Sequence, residues 1–75
     1  MNAMFANLLT EMQRNHKTNR EMAELLSMPY AKFFVKLNGQ GQFTLLEMEH
    51  IADYFGCSID YLVGRKTERN VKLRA

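Results

Sequence analysis

The chain has 75 residues, 47% of them hydrophobic and 24% charged, which fits one small ordered domain and excludes both a disordered segment and a multidomain enzyme. The formal charge of +2 is unevenly spread: Arg65, Lys66, Arg69, Lys72 and Arg74 against Glu68 give residues 65–75 a net +4, leaving −2 on residues 1–64. A lone cysteine, Cys57, rules out an internal disulfide and reads as a small buried side chain of an intracellular protein, and no apolar run approaches the ~18 residues that cross a bilayer.

Helical spacing dominates from the start. Phe5, Leu8, Leu9 and Met12 fall at i, i+3, i+4 and i+7 and predict a first helix with one apolar stripe. The polar run RNHK ends it. Thr18-Asn19-Arg20-Glu21 reads as a capping box, in which the Thr hydroxyl and the Glu carboxylate each take a free backbone N–H. Met22, Ala23, Leu25 and Leu26 supply the apolar side of a short second helix, and Ser27-Met28 the turn after it. Pro29 suits the first position of a third helix, where its missing N–H is harmless, and the helix runs to about Asn38 before Gly39.

NGQGQF is a loop by its two glycines, and no alternating strands flank it. Thr44-Leu45-Leu46-Glu47 forms a second capping box. Leu45, Met48, Ile51, Ala52 and Phe55 then make the stripe of a fourth helix that Gly56 stops. Ser58 caps a short fifth helix in which Ile59, Leu62 and Val63 pack inward and Asp60 complements the helix dipole. The expected class is all-α with five helices in residues 1–64, followed by a basic tail over 65–75.

Catalytic constellations are missing. His16 lies in a polar connection and His50 on a polar helix face, with no second ligand at i+4 and no HExxH. Glu47 and Glu49 point different ways, and no GxSxG, P-loop or dinucleotide pattern occurs. The methionines fall mostly at core phase. The expectation is a protein that is not an enzyme, with no cofactor, no metal and no small-molecule substrate. MNAMFANLLTEMQR lacks the pattern of a signal peptide, so neither secretion nor a membrane is expected.

Helix, tight turn, helix, loop, helix resembles the phage lambda repressor-like (Cro and repressor type) helix-turn-helix family, over roughly Phe5 to Gly64. REMAELL is similar to the family's first motif helix, with Ala23 at the close crossing and Phe33 in the apolar slot of the second. KLNGQGQFTLLEMEHIADYFGCSIDYLVGR resembles the close of small regulators from Gram-positive phages and prophages. The resemblance implies a helix-turn-helix domain over 1–64 acting on operator DNA in a genetic switch, in the cytoplasm of a bacterial host and with a homodimer in prospect. It also implies that the second motif helix lies in the major groove. Carried over by position, Pro29, Tyr30, Ala31, Phe34 and Val35 face bases, and Lys32 reaches base or phosphate. Asn19, Arg20, Lys36, Asn38, Gln40 and Gln42 reach the phosphate backbone.

Two positions depart from that pattern. Ser27 stands where the turn usually has glycine. Phe34 and Val35 stand where relatives often carry Ser, Arg, Gln or Thr, although bidentate side chains are what read guanine and adenine. Residues 19–42 carry Arg20, Lys32 and Lys36 against Glu21 and Glu24, a net of +1. A second reading therefore stands beside the first: an antirepressor that keeps the fold but binds a partner phage repressor through Arg20, Tyr30, Phe34 and Val35, masking its DNA-reading surface. A third placement leaves Phe34 without a direct role, folded back on helix four or a dimer partner.

Overall fold

The computed structural model describes residues 5–65; the tail from Lys66 onward and Met1–Met4 lie outside the described residues. Helix α1 (Ala6–Arg14) buries Leu8 and Met12, with Phe5 and Leu9 half-buried beside them. Glu11 shares this face and is fully buried. Its Oε2 accepts the Tyr61 hydroxyl at 2.9 Å and Arg14 Nη1 at 3.3 Å, the pairing that a buried carboxylate requires.

Helix α2 (Asn19–Leu25) begins at the expected capping box: Thr18 Oγ1 accepts from Glu21 N–H at 3.1 Å, and Glu21 Oε1 accepts from Thr18 N–H at 2.9 Å. Met22 and Ala23 are buried. Helix α3 (Tyr30–Leu37) starts one residue later than expected. Pro29 is its N-cap, with ψ 148° outside the helical range, while its carbonyl already accepts from the N–H groups of Lys32 and Phe33. The chain must leave the turn extended before it can coil, and proline's fixed φ serves the cap as well as the first turn.

Helix α4 (Leu45–Phe55) carries the second capping box, with Thr44 Oγ1 to Glu47 N–H at 3.0 Å and Thr44 N–H to Glu47 Oε1 at 2.9 Å. Met48, Ile51, Ala52 and Phe55 are buried as expected, but Leu45 is 68% exposed. It is in phase with the stripe yet sits in the first helical position. A helical side chain leans toward the N-terminus, so there it overhangs the end of the helix instead of a preceding turn. Helix α5 (Ile59–Leu62) is capped by Ser58 Oγ, which accepts from Tyr61 N–H at 3.0 Å.

All five helices of the described residues are stopped by one device. The positive-φ residues among those described are His16, Ser27, Gly39, Gly56 and Gly64. After each, the next N–H reaches back five residues: Lys17 to Met12, Met28 to Ala23, Gln40 to Val35, Cys57 to Ala52 and Arg65 to Asp60, all at 2.8–3.1 Å. This is the left-handed stop that satisfies the last free carbonyls of a helix.

The described residues are all-α, without strands. Helix α2 packs on α3, and α5 on both α1 and α4. Phe33 is fully buried, with the Phe43 ring 5.8 Å away and Phe5 edge-on to Phe43 at 5.3 Å. Asn7 Nδ2 donates to the Tyr61 carbonyl at 2.7 Å and ties α1 to α5. Cys57 is buried. Among the described residues no helix is long and apolar enough to cross a membrane, and no cluster of three His, Cys, Asp or Glu is placed to hold a metal.

Candidate nucleic-acid interface

The motif consists of α2, the turn Leu26–Pro29, and α3. The small side chain of Ala23, 2% exposed, lets the two helices approach closely. Ser27 takes φ 57°, the left-handed conformation that reverses the chain. Phe33 and Leu37, one turn apart, face the core and fix the rotation of α3. Tyr30, Ala31, Lys32, Phe34 and Val35 are therefore turned outward, while Lys36 is half-buried.

Pro29, Tyr30, Ala31 and Lys32 are all exposed around the start of α3. Phe34 is 48% exposed and Val35 40%, so Phe34 does not fold back on α4. The apolar side chains are ordered among themselves. The Tyr30 and Phe34 rings lie 6.2 Å apart and 23° from parallel, an offset stack, and the Arg20 guanidinium sits 5.3 Å from the Tyr30 ring centroid. Arg20, Tyr30 and Phe34 thus form one contiguous cluster that crosses from α2 to α3.

The remaining sequence-predicted residues do not all join that face. Lys36 Nζ bonds both carboxylate oxygens of Glu47, at 2.8 and 3.1 Å, and lies 5.9 Å from the Phe43 ring. Its charge anchors α3 to α4. Asn38 Nδ2 donates to the Phe34 carbonyl at 2.8 Å at the end of α3. Gln40 and Gln42 are exposed in the following loop, and Asn19 is half-buried at the start of α2. Between the two glutamines the loop closes tightly on α3: a Cβ at Gly41 would meet Lys36 Cγ at 3.3 Å and Val35 Cγ1 at 3.5 Å.

The electrostatics follow from these bonds. Burial opposes ionisation of Glu47, but the Lys36 ammonium and the Thr44 N–H outweigh it and hold the carboxyl below its usual value of 4.5. The backbone bond from Thr18 likewise lowers Glu21, and Tyr54, whose ring centroid is 5.6 Å from Lys17 Nζ, raises Lys17. Lys32 is the cation that α3 leaves directed to solvent.

A family model described as the BetR domain matches residues 3–72. No curated protein and no solved structure matches the chain.

Proposed function

The chain belongs to the BetR domain family, small phage-associated regulators of the helix-turn-helix type, and from that premise we propose that it binds double-stranded operator DNA through α3 and controls a phage-type genetic switch. The observation that supports this reading is the free outward face of α3, held at a tight turn by α2. Close kinship with the lambda repressor-like regulators, Cro among them, is part of the proposal. A homodimer would set two α3 helices in successive major grooves, ~34 Å apart. Pro29, Tyr30, Ala31, Phe34 and Val35 would meet bases, and Lys32 a base or a phosphate. Arg20, Asn19, Gln40, Gln42 and the basic tail over 65–75 would meet phosphates. No cofactor is needed for such a role, and the place of action would be the bacterial cytoplasm.

The Tyr30–Phe34 stack favours a second reading, since a rigid aromatic pair with an arginine at its edge is also the make-up of a protein-interface centre. In that case the chain is an antirepressor that occupies the DNA-reading surface of a partner phage repressor. A gel-shift on the intergenic DNA beside the gene, with and without the neighbouring repressor, separates the two. A shift by the chain alone supports the regulator. No shift alone, with loss of the repressor's own shift, overturns DNA binding in favour of the antirepressor.

A further inference from the structure

The outward half of α3 is unusual in what it can exchange with a base edge. Its hydrogen-bonding side-chain groups are the Lys32 ammonium and the Tyr30 hydroxyl; the rest of the face, Pro29, Ala31, Phe34 and Val35, is carbon. The one amide at its far end, Asn38, donates back to the helix. In the major groove each base pair presents donors and acceptors, and the thymine 5-methyl is the apolar feature. Carbon laid against a guanine or cytosine edge strips water from O6, N7 or the amino group and returns no bond. Carbon laid against a thymine methyl removes apolar surface from water on both sides.

The two rings are also pre-arranged, with the Tyr30 and Phe34 centroids 6.2 Å apart. Arg20 over Tyr30 and Tyr30 over Phe34 hold the rings in place before any ligand arrives. Given the DNA-binding reading above, on which this inference rests, we propose that α3 is a thymine-methyl reader: Tyr30 and Phe34 each seat the 5-methyl of a thymine in each half-site.

The experiment uses the full chain and a pool of duplexes with a randomised core, selected at low salt. Retained duplexes carry two thymines at fixed positions of the half-site. Replacing those thymidines by deoxyuridine deletes the methyl and leaves every hydrogen-bonding group. Anisotropy titration then shows a loss of about fourfold per methyl and about fifteenfold for the pair. Phe34→Ala makes the duplex indifferent to one of the two replacements, and because Phe34 is half-exposed the variant folds. Retained duplexes whose affinity deoxyuridine leaves unchanged, or whose preferences lie in G·C pairs, overturn the thymine reading and leave DNA binding standing. A pool from which nothing is retained overturns both.

Discussion

Ser27→Gly tests the turn that sets α3. Ser27 holds φ 57° and is exposed, and the bonds around it, Ser27 N–H to the Glu24 carbonyl and Met28 N–H to the Ala23 carbonyl, are backbone bonds that glycine keeps. An L-residue in this conformation costs about 1–2 kcal/mol, against which glycine gives up about 0.5–1 kcal/mol of unfolded-chain entropy. The variant is therefore more stable by about 0.5–1 kcal/mol, a rise of about 2–8 °C in Tm for a domain of this size. Thermal melts followed by far-ultraviolet circular dichroism measure it. Gly56→Ala supplies the opposite control: Gly56 has φ 67° and a Cβ there meets nothing within 4 Å, so the loss of about 1 kcal/mol is conformational alone. Function provides a second readout, because α3 keeps its place and binding to the selected duplex is unchanged. A lower Tm for Ser27→Gly would mean that the serine side chain supports the turn, and the strain argument would fail.

Three further outcomes follow from the same geometry. Glu47 titrates below its usual value of 4.5 in the folded chain, so its contribution is complete above that pH and is lost as pH falls through the lower folded value; Glu47→Gln costs about 1–2 kcal/mol at pH 7 and removes that part of the acid sensitivity, read by urea melts between pH 3 and 7. Tyr61→Phe deletes the hydroxyl bond to buried Glu11 and costs about 1.5–3 kcal/mol, whereas a loss under about 0.5 kcal/mol would show the carboxylate satisfied without it. If Arg20 and Lys32 of two protomers are the phosphate contacts, log K against log salt has a slope near −3.6; a much steeper slope assigns contacts to the cations of the tail.

Most of the fold was written in local patterns. Thr18–Glu21, Thr44–Glu47 and Ser58 cap the helices their spacing announced, and Gly39 and Gly56 mark stops that glycine makes visible. His16 and Ser27 make the same stop without a glycine, and of the two only Ser27 was marked, as the position where the resemblance has a glycine. The position of Glu11, three residues after Leu8 and one before Met12, was a usable sign of its burial, but its partner Tyr61 is 50 residues away. In the candidate interface, Tyr30 and Phe34 are i, i+4 and their stacking follows from helix geometry. The Lys36–Glu47 bridge and the Arg20–Tyr30 contact join separate elements, and no spacing rule reaches them.

Those two contacts change what the candidate face can offer a ligand. Arg14 is paired with Glu11, Lys36 with Glu47 and Arg65 with Asp60, while Arg20 and Lys17 lie over the rings of Tyr30 and Tyr54. Lys32 is the cation of the described residues outside these arrangements. Non-specific attraction to DNA comes from cations neutralising phosphates, and with Lys36 tied to Glu47 the candidate face itself offers a random duplex only Arg20 and Lys32. On the DNA-binding reading, affinity that the basic tail does not supply comes from burial of Tyr30, Phe34 and Val35 once a fitting surface is met. Such binding is marked by a negative heat-capacity change and a shallow response to salt. A regulator built this way discriminates by rejecting polar edges more than by bonding to chosen ones. The same property would let α3 exchange a duplex for an apolar protein groove, which explains why one small face supports both readings of its partner.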